Sequence, residues 1–253
     1  MKHSRLPLVL ASFAALLGST GALAQSAKPE PDFTLGYNVG VVTDYRYRGI
    51  SQSRLDPALQ GGIDFSHKSG FYVGAWGSTI KWIKDAGASK GSFELDLYAG
   101  YKGEIAKDLG FDVGYLRYEY PSNKLKDVTG ANANTDELYG ALTYGMFTAK
   151  YSHSVSNLFG VPDSKNSGYL DLSAAIDLGD GMTLTPHVGR QRIKNFSAGS
   201  YTDWSLTLAK DFGNGLTGTV AAVGTNADKT LYVTPGGKFT GRSALVLGLK
   251  YSF

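Results

Sequence analysis

Asp44, Arg46 and Arg48 occupy alternate positions in the stretch Val42-Thr43-Asp44-Tyr45-Arg46-Tyr47-Arg48-Gly49. In an extended chain a side-chain period of two puts the carboxylate and both guanidiniums on one face, with Gln52 and Arg54 just beyond. Two neighbouring guanidiniums can fork a carboxylate, phosphate or sulfate group bidentately, which is the chemistry of an anion filter. They can also pair with carboxylates such as Asp44 and Asp64 and brace a wall, the commoner fate of arginines withdrawn from water.

The same parity collects further charges along the chain: Asp64, Glu94, Asp96, Asp112, Glu137, Asp171, Asp177, Asp203 and Asp211, against Lys102, Lys150 and Lys250. Acids outnumber bases on this face, which argues against a simple anion channel. A polar interior of both signs suits a narrow hydrated passage or a lumen closed by ion pairs. Catalysis has less support. His67 reads as a turn residue, His187 as a lumen residue, and His153 lies on the lipid-facing parity between Ser152 and Ser154, which point to the opposite face. A serine from the next strand could still serve His153 in a lipid-hydrolysing barrel. Asp180 between Gly179 and Gly181 reads as a hairpin residue rather than a calcium ligand, and Pro235-Gly236-Gly237-Lys238 as a loop tip rather than a phosphate cradle. No cofactor and no metal are expected. Trp76, Trp82, Tyr118 and Tyr120 near strand ends could stack sugars but read first as an interfacial girdle.

Positioning these residues requires strands. Phe33, Leu35, Tyr37, Val39 and Val41 oppose Thr34, Gly36, Asn38 and Gly40, and the alternation runs on through Tyr45 and Tyr47 opposite Asp44, Arg46 and Arg48. Equivalent patterns recur at 58–66, 92–102, 168–178 and 201–212, with large apolar residues on one parity and carboxylates on the other. About twelve strands are expected, near 33–47, 58–66, 71–79, 92–102, 111–120, 136–144, 147–155, 168–178, 182–192, 201–212, 216–225 and 242–253. Tight turns such as Gly213-Asn214-Gly215 alternate with longer polar loops near 48–57, 79–91, 121–135, 155–167, 193–200 and 225–241. The 103–110 connection is longer than its fellows on the short side. Parity slips at Trp76, Leu116 and Val223, which β-bulges would repair. In the last segment Leu245, Leu247, Leu249, Tyr251 and Phe253 share one face and end in two aromatic rings, the girdle of a closing strand.

Lys2 and Arg5, the apolar run Leu6 to Leu17 and Ala22-Leu23-Ala24 form a cleavable export signal over residues 1–24, followed by a short leader at 25–32 and a single barrel over 33–253. Without Lys2 and Arg5 the chain has 23 basic against 22 acidic residues, so nucleic-acid binding has no basis in charge. Cysteine is absent, so stability must come from something other than disulfides. The expected class is an all-β transmembrane antiparallel barrel with short periplasmic turns and longer external loops, since closure satisfies every backbone group.

The run Thr43-Asp44-Tyr45-Arg46-Tyr47-Arg48-Gly49-Ile50-Ser51-Gln52-Ser53 resembles that of the TorF-type putative porins. The ending at Phe253 is similar to the signal that barrel-assembly machinery reads in outer-membrane proteins. These resemblances imply residence in the bacterial outer membrane, with membrane lipid and that machinery as partners. The reading that follows is a porin-like channel for passive diffusion of small polar solutes. Asp44, Arg46, Arg48, Asp64, Glu94, Asp96, Lys150, Asp171 and Asp203 are expected to line the pore. The alternative is a structural or adhesive barrel with a salt-bridged, closed lumen.

Overall fold

The computed structural model describes residues 31–253; the expected export signal at 1–24 and most of the leader at 25–32 lie outside the described residues. Twelve strands follow in order: β1 (Phe33–Val42), β2 (Ala58–His67), β3 (Phe71–Thr79), β4 (Phe93–Ala106), β5 (Leu109–Glu119), β6 (Thr135–Tyr144), β7 (Phe147–Ser154), β8 (Gly168–Ala174 resuming at Ile176–Gly179), β9 (Met182–Arg192), β10 (Tyr201–Gly213), β11 (Leu216–Thr225) and β12 (Ala244–Ser252). Each pairs antiparallel with its sequence neighbours, and β12 returns to β1 through Val39↔Tyr251 and Val41↔Leu249, so the sheet closes. Closure leaves no free edge.

The outward parity is the apolar one. Val113, Leu142, Leu172, Leu206 and Leu247 remain 44–53% exposed, a surface that only hydrocarbon would accommodate. At the short-turn end the belt finishes in aromatic rings. Phe253 stacks on Tyr37 at 5.7 Å and on Tyr251 at 5.8 Å, and exchanges both backbone hydrogen bonds with Tyr37. Leu249, Tyr251 and Phe253 share the outward face, all three exposed.

Four departures from the sequence pattern have physical reasons. β1 ends at Val42 instead of running to Tyr47, because the chain turns into the bore there. The 103–110 connection shrinks to Lys107-Asp108: β4 and β5 extend to meet it, absorbing the extra residue in a register shift between Glu104 and Ala106. Trp76, Leu116 and Val223 need no bulge, since the ladders reach all three without a register shift: Trp76 and Leu116 point inward onto an apolar filling, and Val223 borders the cavity of the lumen. β8 breaks at Ala175 while keeping one register on both sides, Ser173↔His187 and Ile176↔Leu184. Continuing that register sets Pro186, which brings no N–H, opposite Ala174.

The six long connections gather at the other end. Ile83, Leu125, Tyr118 and Tyr120 bury one another there, with Trp76, Trp82, Leu116 and Phe159 packed around them. Trp76, Trp82, Tyr118 and Tyr120 are therefore core residues of this cap, not the girdle their strand-end positions suggest.

Candidate functional site

Thr43 still holds to the wall, its N–H donating to the Leu247 carbonyl at 2.9 Å and its Oγ1 accepting the Leu247 N–H at 3.0 Å. Beyond it the chain crosses the bore as a ribbon in which Arg46–Tyr47 pairs with Ile50–Ser51. Arg48 (φ 46°) and Gly49 (φ 76°) form its tip, the pair of positive φ values that a two-residue hairpin turn demands. A Cβ on Gly49 would stand 2.8 Å from that of Asp203, so the tip presses against β10.

Asp44 is the ribbon's internal clamp. Its Oδ2 accepts from Arg46 Nε at 2.6 Å and its Oδ1 from Ser51 Oγ at 2.5 Å. Arg46 Nη1 donates to the carbonyls of Gly49 and Thr240 at 2.9 Å and of Arg242 at 3.1 Å. The bracing role weighed for Arg46 is thus the one its geometry adopts, while its Nη2 is buried without a hydrogen-bond partner. Arg48 reaches across the lumen: Nη2 donates to Glu137 Oε2 at 2.7 Å and Nη1 to Gln191 Oε1 at 2.6 Å, and its guanidinium lies 4.8 Å from the Tyr47 ring and 4.2 Å from the Tyr169 ring. Its carboxylate partner is Glu137, not Asp64.

Most of the remaining lumen charges named from the sequence are also engaged. Asp64 accepts the Tyr98 hydroxyl, Glu94 accepts the Tyr45 hydroxyl at 2.6 Å, and Lys150 Nζ lies 4.0 Å from the centre of the Tyr139 ring. Asp171 and Asp203 flank His187, with Oδ2 of Asp171 3.1 Å from Nε2 and Oδ1 of Asp203 3.7 Å from Nδ1; Tyr169 Oη donates to Asp203 at 3.0 Å. Oδ1 of Asp96 and Oδ1 of Asp171 are buried and have no hydrogen-bond partner. Asp177 and Asp211 do not line the lumen: each accepts the N–H two residues ahead, from Gly179 and Gly213, in its tight turn.

Three tyrosines keep to the wall because glycines make room for them. Tyr98, Tyr72 and Tyr139 lie over Gly74, Gly100 and Gly114 directly across the ladder, where a Cβ would collide with each ring. Beside the ribbon a cavity of about 530 Å³ is bounded by Arg48, Lys150, Asp171, His187 and Asp203 on one side and by small residues such as Thr183, Thr207, Thr219 and Ala221 on another. Its size is that of a small-molecule site.

The ribbon brings Asp44, Arg46 and Arg48 together and sets Arg48 within reach of Glu137 and Tyr169. Asp64 lies elsewhere in the lumen, and Lys150 borders the same cavity as Arg48; neither touches Arg48 among the described contacts. Gln191 and Tyr169 are working residues the sequence reading did not single out; Tyr169 has the inward parity of Asp171, which is the signal that could have found it. Among the described contacts His153 meets no serine. Its register partners are Leu138 and Gly168, and its Nε2 lies 3.2 Å from Asn166 Oδ1.

The model of the family described as "Bacterial protein of unknown function (Gcw_chp)" matches residues 26–253. No curated protein matches the sequence. Among solved structures, the chain is similar to the KdgM porin in complex with disordered oligogalacturonate, at 9% identity and a TM-score of 0.53, covering 87% of this chain and 98% of that one. It is also similar to the NanC porin, at 11% identity and a TM-score of 0.54, covering 87% and 99%. The likeness is one of fold: a twelve-strand barrel of the porin type.

Proposed function

This chain belongs to the Gcw_chp family, and from that premise we propose that it is a porin-like channel of the bacterial outer membrane, passing small hydrophilic solutes down their gradients. The observation that carries the reading is a closed barrel whose outward face is apolar and whose inward face is charged and hydroxylated around a cavity of about 530 Å³. The resemblance of the Thr43–Ser53 run to the TorF-type putative porins and the export signal expected from the sequence at 1–24 are in keeping with that compartment. Outer-membrane lipid and the barrel-assembly machinery are then its partners.

Arg48 and its partners are the selectivity residues in this reading, with Asp44 and Arg46 holding the ribbon in shape. KdgM is described with an oligogalacturonate, a polyanion. Here Arg48 already has a carboxylate, and two further carboxylate oxygens are buried without donors, so a polyanion finds less welcome. A neutral or zwitterionic small solute suits the lumen better.

A structural or adhesive barrel is the second reading, and the ribbon across the bore is the observation in its favour. Liposome swelling separates the two. Vesicles carrying the refolded protein should admit small sugars and amino acids faster than empty vesicles; rates no higher than those of empty vesicles, for native and ribbon-replaced protein alike, would sink the channel reading.

A further inference from the structure

We propose that residues 43–57 are a displaceable plug, latched by Arg48, so that the channel rests closed and opens when the ribbon swings away from the far wall. The inference rests on the channel reading above and adds how the passage is controlled. Its first support is reach. The ribbon meets the wall all round the bore: Tyr45 at Trp76 and Glu94, Tyr47 at Tyr118, Arg48 at Glu137, Tyr169 and Gln191, and Gly49 at Asp203 and Thr225.

The second support is that the hold differs from side to side. On the near side, towards β3, β4 and β5, aromatic packing joins hydrogen bonding: Tyr45 is edge-on to Trp76 at 5.5 Å and donates to Glu94 at 2.6 Å, and Tyr47 is edge-on to Tyr118 at 5.5 Å and to Phe159 at 5.6 Å, its hydroxyl 2.6 Å from that of Tyr118. On the far side the tip is held to β6 and β9 through polar atoms, Arg48 to Glu137 and to Gln191. Such contacts are directional and water replaces them once they part, whereas the aromatic packing resists separation. Further backbone holds, from Arg46 and the Ser51 N–H to the Thr240 carbonyl, from Arg46 to the Arg242 carbonyl, and from the Lys81 and Trp82 N–H groups to the Gln52 carbonyl, are on loops and not on the wall. A body held by aromatic packing as well as hydrogen bonds on one side, and only through the polar groups of its tip on the other, has a hinge and a latch.

The third support is what the latch covers. The cavity lies along the far arc, against Tyr169, Asp171, His187 and Asp203, where release of Arg48 would open it to the loop end. The tip is also conformationally costly for the arginine, which sits at φ 46°.

The chain contains no cysteine, so a pair can be introduced without background reaction. Planar-bilayer conductance is compared for the native chain, Arg48→Ala, and the Arg48→Cys, Gln191→Cys pair before and after bridging with a short bifunctional thiosulfonate reagent. Loss of one charge-assisted latch should raise the open-to-closed ratio roughly tenfold or more. Bridging the two cysteines should return conductance to the native level and reduction should raise it again, a reversal that a misfolded variant cannot give. Equal conductance in all these forms overturns the plug and leaves the channel standing. Silence in all of them, and in a chain with Tyr45–Gln52 replaced by glycine and serine, overturns the channel and the plug with it.

Discussion

Nη2 of Arg48 and Oε2 of Glu137 lie 2.7 Å apart although 89 residues separate them, and both side chains are nearly withdrawn from solvent, at 6% and 2% exposure. A pair so placed ties the first loop to the opposite wall. Removing one partner strands the other charge in a medium that screens it poorly.

Glu137→Ala and Arg48→Ala should each lower stability by about 3 kcal/mol, the range for breaking a buried pair. The double variant should lose less than the sum of the two, because neither charge is then left alone. Urea unfolding of the refolded barrel in micelles checks this. Strict additivity would mean that the two groups do not couple.

The glycines under the tyrosines make a second prediction. At Gly114 a Cβ would lie 2.5 Å from Tyr139 Oη and 2.8 Å from the Ala99 carbonyl oxygen. Gly114→Ala should cost about 1–3 kcal/mol by overpacking and should lift Tyr139 away from Lys150. Gly36→Ala, with nothing within 4 Å of the added carbon, should be close to neutral. The same unfolding measurement on both variants decides it.

Lipid contact is tested on β12. Leu247 is 52% exposed on the outward face and Val246 beside it is buried inward. Leu247→Arg should destabilise the barrel in bilayers by about 2–4 kcal/mol, as arginine does on a lipid-facing midplane site. An unchanged unfolding free energy in lipid vesicles would contradict the assignment of faces.

Outside the membrane, Lys81 donates to Asp56 at 2.6 Å and holds its carboxyl below the ordinary aspartate range. A lowered folded-state value means that the pair's contribution is present above the unfolded aspartate pKa and fades as pH falls through the lowered one. The effect is small, about 1 kcal/mol at most for so exposed a pair. Asp56→Asn should therefore reduce stability at neutral pH and narrow its difference from native in strong acid. A difference that grew in acid would contradict this sign.

Much of the wall was legible because lipid enforces period two. Leu245, Leu247 and Leu249 cannot turn inward without exposing backbone and charge to hydrocarbon, so the pattern is regular and the strand count follows. The ribbon was not legible. Asp44, Arg46 and Arg48 keep the same alternation as β1, and a period of two does not distinguish a strand in the wall from one bent into the bore. Arg48-Gly49 as a hairpin tip was the available signal. Trp76, Trp82, Tyr118 and Tyr120 misled for a related reason: an aromatic near a strand end serves a girdle or a loop core equally well, and only the folded loops decide.

The central claim, that solutes and ions pass through the polar interior, is tested most directly at two adjacent residues. Thr207 borders the cavity and Leu206 lies on the outward face at 44% exposure. Each is changed to cysteine in the otherwise cysteine-free chain, and bilayer current is recorded while a small cationic thiosulfonate is added. Current should drop in steps for Thr207→Cys and stay constant for Leu206→Cys; a conducting Thr207→Cys channel that the reagent leaves unaltered would contradict a path through this lumen.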